Sequence, residues 1–258
     1  MHYNNKFFKN KSVYVLGGNG LIGNSIVENF LKLDALVFIL DKKIKKKSKK
    51  FEIKNKIELN FDLSNPKNLE RNLNKIFLKY NVPDIFINCA YPKTKDWKKN
   101  NFESISFNSF KKNIELQLIS NSWVNYLVAE KMKLNKIKGK IIHLGSIYGN
   151  ISQDLSLYKG TSIKENFTYP LIKGGISKFM QQLAVYYAKY DILINTVSPG
   201  GILNNQDNKF ISKYNNKTPI NRMANPSEIS ELILFLSSEA SSYILGQDIL
   251  IDGGFTKI

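Results

Sequence analysis

Seven short apolar runs, separated by stretches of helical period, constrain this chain more than any other feature. They read SVYVL (12–16), LVFIL (36–40), IELNF (57–61), DIFINCA (84–90), KIIHL (140–144), LINTV (193–197) and DILID (248–252). Near-continuous apolar runs mark strands buried on both faces, as in parallel sheets. Between them, Leu69, Leu73, Ile76 and Phe77 share one helical face, and so do Ile172, Ile176, Phe179, Met180 and Leu183. A long helical pattern covers roughly 107–134. In NPSE (225–228), Asn225 is placed to cap a helix, Pro226 to take its first turn and Glu228 to reach back to the cap. The alternation predicts an α/β fold, a single-domain doubly wound parallel seven-stranded sheet over residues 1–258.

The 258 residues, 43% hydrophobic, suffice for one large core. No stretch approaches the roughly 20 apolar residues of a membrane helix. The start, MHYNNKFFKNKS, lacks the apolar segment of a signal peptide. A soluble cytoplasmic protein without membrane partners is expected. One cysteine, Cys89, and two histidines, His2 and His143, supply neither an internal disulfide nor a convincing metal site. The net charge of +17 raises nucleic acid as a partner, but only Arg71 and Arg222 of the 38 basic residues can read bases or phosphates bidentately. No nucleic-acid partner is expected, and the run DKKIKKKSKK (41–50) reads as a solvated loop. The positive field suits a phosphorylated substrate or cofactor.

Ligands of doubly wound sheets bind beyond the carboxyl ends of the strands. After the first run comes GGNGLIG (17–23), with Gly17, Gly20 and Gly23 evenly spaced at a strand-to-helix junction. Small residues there admit a pyrophosphate, and the helix start offers unpaired N–H groups. Gly17, Asn19, Gly20, Leu21 and Ile22 are candidate cofactor contacts. Asp41 ends the second run, where a carboxylate holds ribose hydroxyls and repels a 2′-phosphate, favouring NAD. Lys42 and Lys43 soften that exclusion, so NADP stays open. Asp62 and Leu63 are placed to flank an adenine, with Ser64 or Asn65 as a helix cap before Pro66. Asn88 is expected to pin neighbouring strands, Ala90 to leave room for the cofactor and Cys89 to be buried filler.

Ser146 ends the fifth run in GSIYG, and Tyr169 and Lys173 stand one helical turn apart in TYPLIK. An ammonium beside the phenol, with the charge of an oxidised nicotinamide, is expected to lower the tyrosine pKa and fit it for proton transfer at a substrate oxygen. A second pair of equal spacing, Tyr91 and Lys95, falls in loop-like sequence and is the weaker candidate.

With these motifs in this order, joined by NCA, SPGG (198–201) and GQDILIDGG (246–254), the chain resembles the short-chain dehydrogenase/reductase family along nearly its whole length. The resemblance implies a Rossmann fold and a catalytic tetrad of Ser146, Tyr169, Lys173 and Asn113, the asparagine ordering a water that relays protons to the lysine. It implies that Tyr169 and Lys173 also contact the cofactor, Lys173 through the nicotinamide ribose, and that Pro199, Gly200 and Ile202 lie near the carboxamide. It implies a homo-oligomer, dimer or tetramer, built on helices 107–134 and 170–189. Several positions depart from the family pattern. Leu16 replaces a common Thr, the glycine spacing is nearer the extended subgroup, Tyr91 replaces a Gly, and Asn204 replaces a Thr.

The stretch between Ser146 and Tyr169 is also longer than usual. That insertion, 150–167, is expected to pass over the cleft with Tyr158, Lys159 and Lys164 as candidate substrate contacts, beside Tyr91 and Tyr148. The polar segment 203–218 resembles the family's mobile substrate loop. AYPKTKDW, SIYGNISQDLSLYKGT and SPGGILNNQ are similar to oxidoreductases of the flagellin modification protein A type, from bacterial surface-sugar clusters. This implies an NAD(P)-dependent oxidoreductase that interconverts a secondary alcohol and a ketone on an anionic sugar, phosphorylated or nucleotide-linked, in surface glycan biosynthesis. Two alternatives are a non-catalytic NAD-binding sensor and a basic nucleic-acid-binding protein.

Overall fold

The computed structural model describes residues 5–42, 44 and 55–258. The rest of the basic run 41–50, Lys43 included, lies outside the described residues. All seven expected strands are present: β1 (Ser12–Leu16), β2 (Leu36–Asp41), β3 (Lys56–Asn60), β4 (Ile85–Asn88), β5 (Lys140–Leu144), β6 (Leu193–Pro199) and β7 (Asp248–Ile251). They form one sheet in the order β3-β2-β1-β4-β5-β6-β7, parallel throughout. The order reverses between β1 and β4, so the crevice for a ligand opens at their carboxyl ends. The helices are α1 (Asn5–Phe8), α2 (Leu21–Lys32), α3 (Leu69–Tyr80), α4 (Phe107–Asn113), α5 (Ser120–Leu134), α6 (Tyr169–Tyr187), α7 (Asn208–Asn216) and α8 (Pro226–Ser237).

Alternate strand residues feed two cores, one on each face of the sheet. Tyr14, Phe38, Phe86, Ile141 and Ile194 pack with Leu73 and Phe77 of α3, Val124 and Val128 of α5, and Ile172 and Ile176 of α6. Val13, Val15, Ile39, Ile87, Ile142 and Val197 pack on the other face with Ile26 and Phe30 of α2 and Ile229 and Ile233 of α8. The start of α8 is as its sequence predicts: Glu228 Oε2 accepts the Asn225 N–H at 2.8 Å. Arg222 grips the same carboxylate through both terminal nitrogens, at 2.6 and 2.7 Å.

Two departures bear on the site. The apolar run 84–90 leaves the strand at Asn88, because the Ala90 N–H turns to Asn88 Oδ1 at 3.2 Å. The 107–134 pattern is not one α-helix, since Ile114–Ile119 form a π segment between α4 and α5. Side chains take carbonyls of the helix ladder there. Asn113 Nδ2 donates to Ser109 O at 2.8 Å, Ser120 Oγ to Glu115 O at 3.1 Å, and Asn121 Nδ2 to Gln117 O at 2.7 Å. Such competition loosens the regular ladder, and π turns concentrate at functional sites.

Candidate active site

A cleft of about 710 Å³ opens over the sheet at the β1–β4 switch point. Its first half is built by the turn after β1. Gly17 adopts φ +81°, a conformation side chains resist, and a Cβ there would lie 2.8 Å from Ala90 Cα. Gly23 on α2 is pressed against the same turn, where a Cβ would meet Gly17 O at 2.2 Å. Gly20, Leu21 and Ile22 line the cleft at the start of α2, whose first N–H groups have no intrahelical partners. Asp41, at the end of β2, accepts the Asn19 N–H at 3.2 Å and also lines the cleft, so it sets the turn against the second strand. Asp62, Leu63 and Ala90 also line it. Asp62 Oδ1 takes the Ser64 N–H at 2.9 Å, and Lys42 pairs with Oδ2 at 3.0 Å. Asn65 precedes the short 3₁₀ turn Pro66–Asn68 without a side-chain cap bond. A backbone-lined cradle with no room for side chains at the start of a helix fits the pyrophosphate of a dinucleotide.

The second half gathers residues from three elements. Ser146 follows β5, Tyr169 and Lys173 open α6, and Tyr91 follows β4; all four line the cleft, with Tyr148. Lys173 is buried and donates to Leu144 O at 2.9 Å. Its Nζ lies 5.7 Å from the ring centroids of both Tyr169 and Tyr91. The Tyr91 ring stands edge-on to Tyr169 at 5.7 Å, and Tyr148 does so at 6.3 Å. Burial draws the Lys173 ammonium down to about 8. Burial also pushes the Tyr169 phenol above its usual value, with the Ser146 hydroxyl pulling the other way. In the protein alone, without the oxidised nicotinamide whose charge the expected lowering also invokes, the cost of desolvating a phenolate sets the direction of the shift.

Other expected site residues fall elsewhere. Asn113 is buried outside the cleft lining, donating to Asn100 Oδ1 at 2.8 Å and accepting from Thr94 Oγ1 at 3.3 Å. It sits where α4 gives way to the π segment. Asn88 is likewise buried outside the cleft lining, and its Nδ2 donates to Asn125 Oδ1 of α5 at 3.2 Å, so its side chain ties β4 to a helix rather than directly to a neighbouring strand. Asn19 is absent from the cleft lining, while its N–H is bonded to Asp41, which lines it. Cys89 is half-buried and lines the cleft, and burial pushes its thiol up to about 12. Pro199, Gly200 and Ile202 line the cleft beyond β6.

The insertion 150–167 corrects the sequence reading more strongly. None of Tyr158, Lys159 and Lys164 lines the cleft. Lys159 and Lys164 are exposed, and the Lys159 carbonyl accepts Lys213 of α7. Tyr158 packs behind the wall against Phe210 at 5.5 Å. Asp154 pairs with Lys217, and Ser162 donates to Asp207 at 2.9 Å. The insertion therefore straps α7, whose Phe210 and Tyr214 line the cleft. The Tyr214 hydroxyl accepts the Gly201 N–H at 2.6 Å and its ring stacks on Phe255 at 4.7 Å. Sequence reasoning missed Lys93, Phe210, Tyr214 and Met223 as lining residues. The spaced aromatics of 203–218 were the available signal for two of them.

Behind the site, His143 of β5 is fully buried, with Nδ1 3.2 Å from Asn125 Nδ2 and Nε2 unpartnered among the described residues. Burial, then the Lys173 charge, hold its pKa well below the usual 6.5. The unfolded chain therefore binds a proton that the folded chain refuses. Stability is complete above the unfolded value and falls as pH drops toward the depressed folded one, by up to ~1.4 kcal/mol per unit. Urea denaturation across this range is expected to show that slope, and His143→Asn to flatten it. An unchanged slope in the variant assigns the acid sensitivity to other groups.

A family model described as enoyl-(acyl carrier protein) reductase matches residues 19–256. The chain is 28% identical to the post-translational flagellin modification protein A of Campylobacter coli, over 96% of this chain and 98% of that protein. It is 25% identical to the L-rhamnose 1-dehydrogenase (NADP(+)) of Thermoplasma acidophilum, over 96% of each. Among solved structures it is similar to a short-chain dehydrogenase from Leptospira borgpetersenii with bound NAD+. That likeness has a TM-score of 0.87 and 33% identity, covering 99% of this chain and 96% of the other.

Proposed function

Because the chain belongs to the short-chain dehydrogenase/reductase family, we propose that it is an NAD(P)-dependent oxidoreductase interconverting a secondary alcohol and a ketone on a sugar. The observation that carries this reading is the convergence of Ser146, Tyr169 and Lys173 on one cleft that runs on from the glycine turn. A nicotinamide dinucleotide bound there supplies hydride transfer at carbon. Gly17, Gly20, Leu21 and Ile22 would cradle its pyrophosphate, Asp41 its adenosine ribose, and Lys173 its second ribose. Tyr169 is the proton-transferring group. Burial keeps its phenol protonated at neutral pH, the state that gives a proton to a ketone oxygen. Ser146 holds that oxygen. The Lys173 ammonium, anchored by the Leu144 carbonyl, stabilises the phenolate left behind. Asn113, buried at the start of the π segment, would act through a water that relays protons to the lysine.

The Tyr91 and Tyr148 rings give a sugar two apolar faces beside the reacting atoms. The Tyr148 hydroxyl itself is buried away from the cavity, on the side of Tyr158, so it is the ring that faces a sugar. The substrate we favour is phosphorylated or nucleotide-linked, in surface glycan synthesis; the likeness to the flagellin modification protein supports this. NAD is favoured over NADP because Asp41 faces the ribose position and Lys42 is occupied by Asp62. Self-association is favoured by the apolar residues α5 and α6 expose, among them Trp123, Val185 and Tyr186.

The test follows nicotinamide absorbance across sugars, sugar phosphates and nucleotide sugars with each cofactor. Turnover of a sugar with NAD, at least about tenfold better than with NADP, is expected, and Asp41→Asn is expected to narrow that ratio by relieving charge repulsion. Turnover confined to carrier-bound acyl thioesters would sink the sugar reading. A ratio untouched by Asp41→Asn would sink its role in choosing the cofactor.

A further inference from the structure

The charges along the cleft are unevenly divided. Its carboxylates, Asp41 and Asp62, both lie at the end formed by β2 and the residues after β3. Around Tyr169 the lining includes Tyr91, Lys93, Tyr148, Gln206 and Phe210, and among the described residues no carboxylate lines this half. Lys93 is exposed, two residues beyond Tyr91 on the segment leaving β4. Its Nζ lies 5.2 Å from the Tyr91 ring centroid. The same ring receives Lys173 Nζ at 5.7 Å and meets Tyr169 edge-on at 5.7 Å, while Trp97 braces it edge-on at 5.3 Å. The Tyr91 ring thus has two ammonium groups within about 6 Å of its centroid, the exposed Lys93 and the buried Lys173. Among the described residues Lys93 has no ion-pair partner.

We infer that Lys93 is a specificity-determining residue, holding an oxyanion of the substrate, a carboxylate or a phosphate, while the carbon to be oxidised or reduced lies against Tyr169. This rests on the oxidoreductase reading above. A sugar lying on the Tyr91 ring presents one end to Tyr169 and the other to Lys93. An ammonium over an aromatic face is partly oriented before the anion arrives, and a lysine on a flexible stem accepts either anion as a point charge. Lys173 cannot take that role, being buried and committed to Leu144 O.

The experiment compares matched neutral sugars, their sugar acids and their terminal phosphates in steady-state kinetics. The wild-type enzyme is expected to prefer an anionic member by about tenfold or more in kcat/KM, less so as salt is raised. Preference for acid or for phosphate identifies the anion. Lys93→Ala is expected to raise KM for the anionic member about tenfold, with kcat changing less. Lys93→Arg should keep most of the preference, and Lys93→Glu should reverse it. Equal preference in wild type and Lys93→Ala overturns this inference alone and leaves the oxidoreductase standing. Absence of turnover for every neutral and anionic sugar, with either nucleotide, overturns the sugar reading and this inference together.

Discussion

Tyr169→Phe is expected to lower kcat by about 10²–10⁴-fold, the range for loss of a positioned proton-transfer group, while dinucleotide binding persists. The substitution removes one oxygen and keeps the ring. The edge-on packing against Tyr91 and Tyr148 therefore survives, and the fold is expected to be intact by circular dichroism. Titrating reduced nicotinamide fluorescence measures binding separately from turnover. A sensor whose output depends on bound nucleotide alone would keep that output in the variant. Retention of more than about a tenth of wild-type turnover would remove Tyr169 from the chemistry, given the 10²-fold minimum expected of such a group. The pH profile adds a second reading. With the Lys173 ammonium brought down to about 8 by burial, activity that depends on its charge is expected to decline above that value.

Gly23→Ala is expected to weaken dinucleotide binding by at least tenfold and to destabilise the protein by about 1–3 kcal/mol, the usual cost of overfilling a packed site. A Cβ at Gly23 would fall 2.2 Å from Gly17 O and 2.8 Å from Gly18 Cα. Both are backbone atoms of the turn, so no side-chain rotation relieves the clash. The turn must move away from α2, which carries Gly17 off Ala90 and spoils the cradle. Gly160→Ala is the matched control. Gly160, unlike the helical Gly23, has a left-handed φ, +72°, and nothing lies within 4 Å of its added Cβ. That variant is expected to lose about 1 kcal/mol of stability from the unfavourable backbone conformation and no dinucleotide affinity. Thermal unfolding with and without NAD separates the two. Equal responses of Gly23→Ala and Gly160→Ala would show that close packing at the turn is not what the dinucleotide needs.

Local chemistry determined much of this protein before any contact was formed. Strands buried on both faces must be apolar throughout, so SVYVL, LVFIL and KIIHL announce a covered parallel sheet, and GGNGLIG announces a backbone-lined turn. Asp41, Ser146, Tyr169 and Lys173 were legible because each stands at a strand end or helix start, where a doubly wound sheet offers side chains to its crevice. Only the tertiary structure decided which residues on the long excursions reach that crevice. The insertion 150–167 turns its Tyr158 and Lys159 toward α7, because Asp154, Ser162 and the Lys159 carbonyl find partners there. Lys93 lines the cleft instead, although its surroundings in sequence are loop. The sign of the shift at Tyr169 was also beyond sequence spacing. A lysine one turn away predicts a lowered phenol, whereas in the protein alone desolvation, which depends on everything packed around the ring, raises it. Periodicity records which face a residue shares with its neighbours along the chain. Burial and the company of distant segments exist only once the chain has closed on itself.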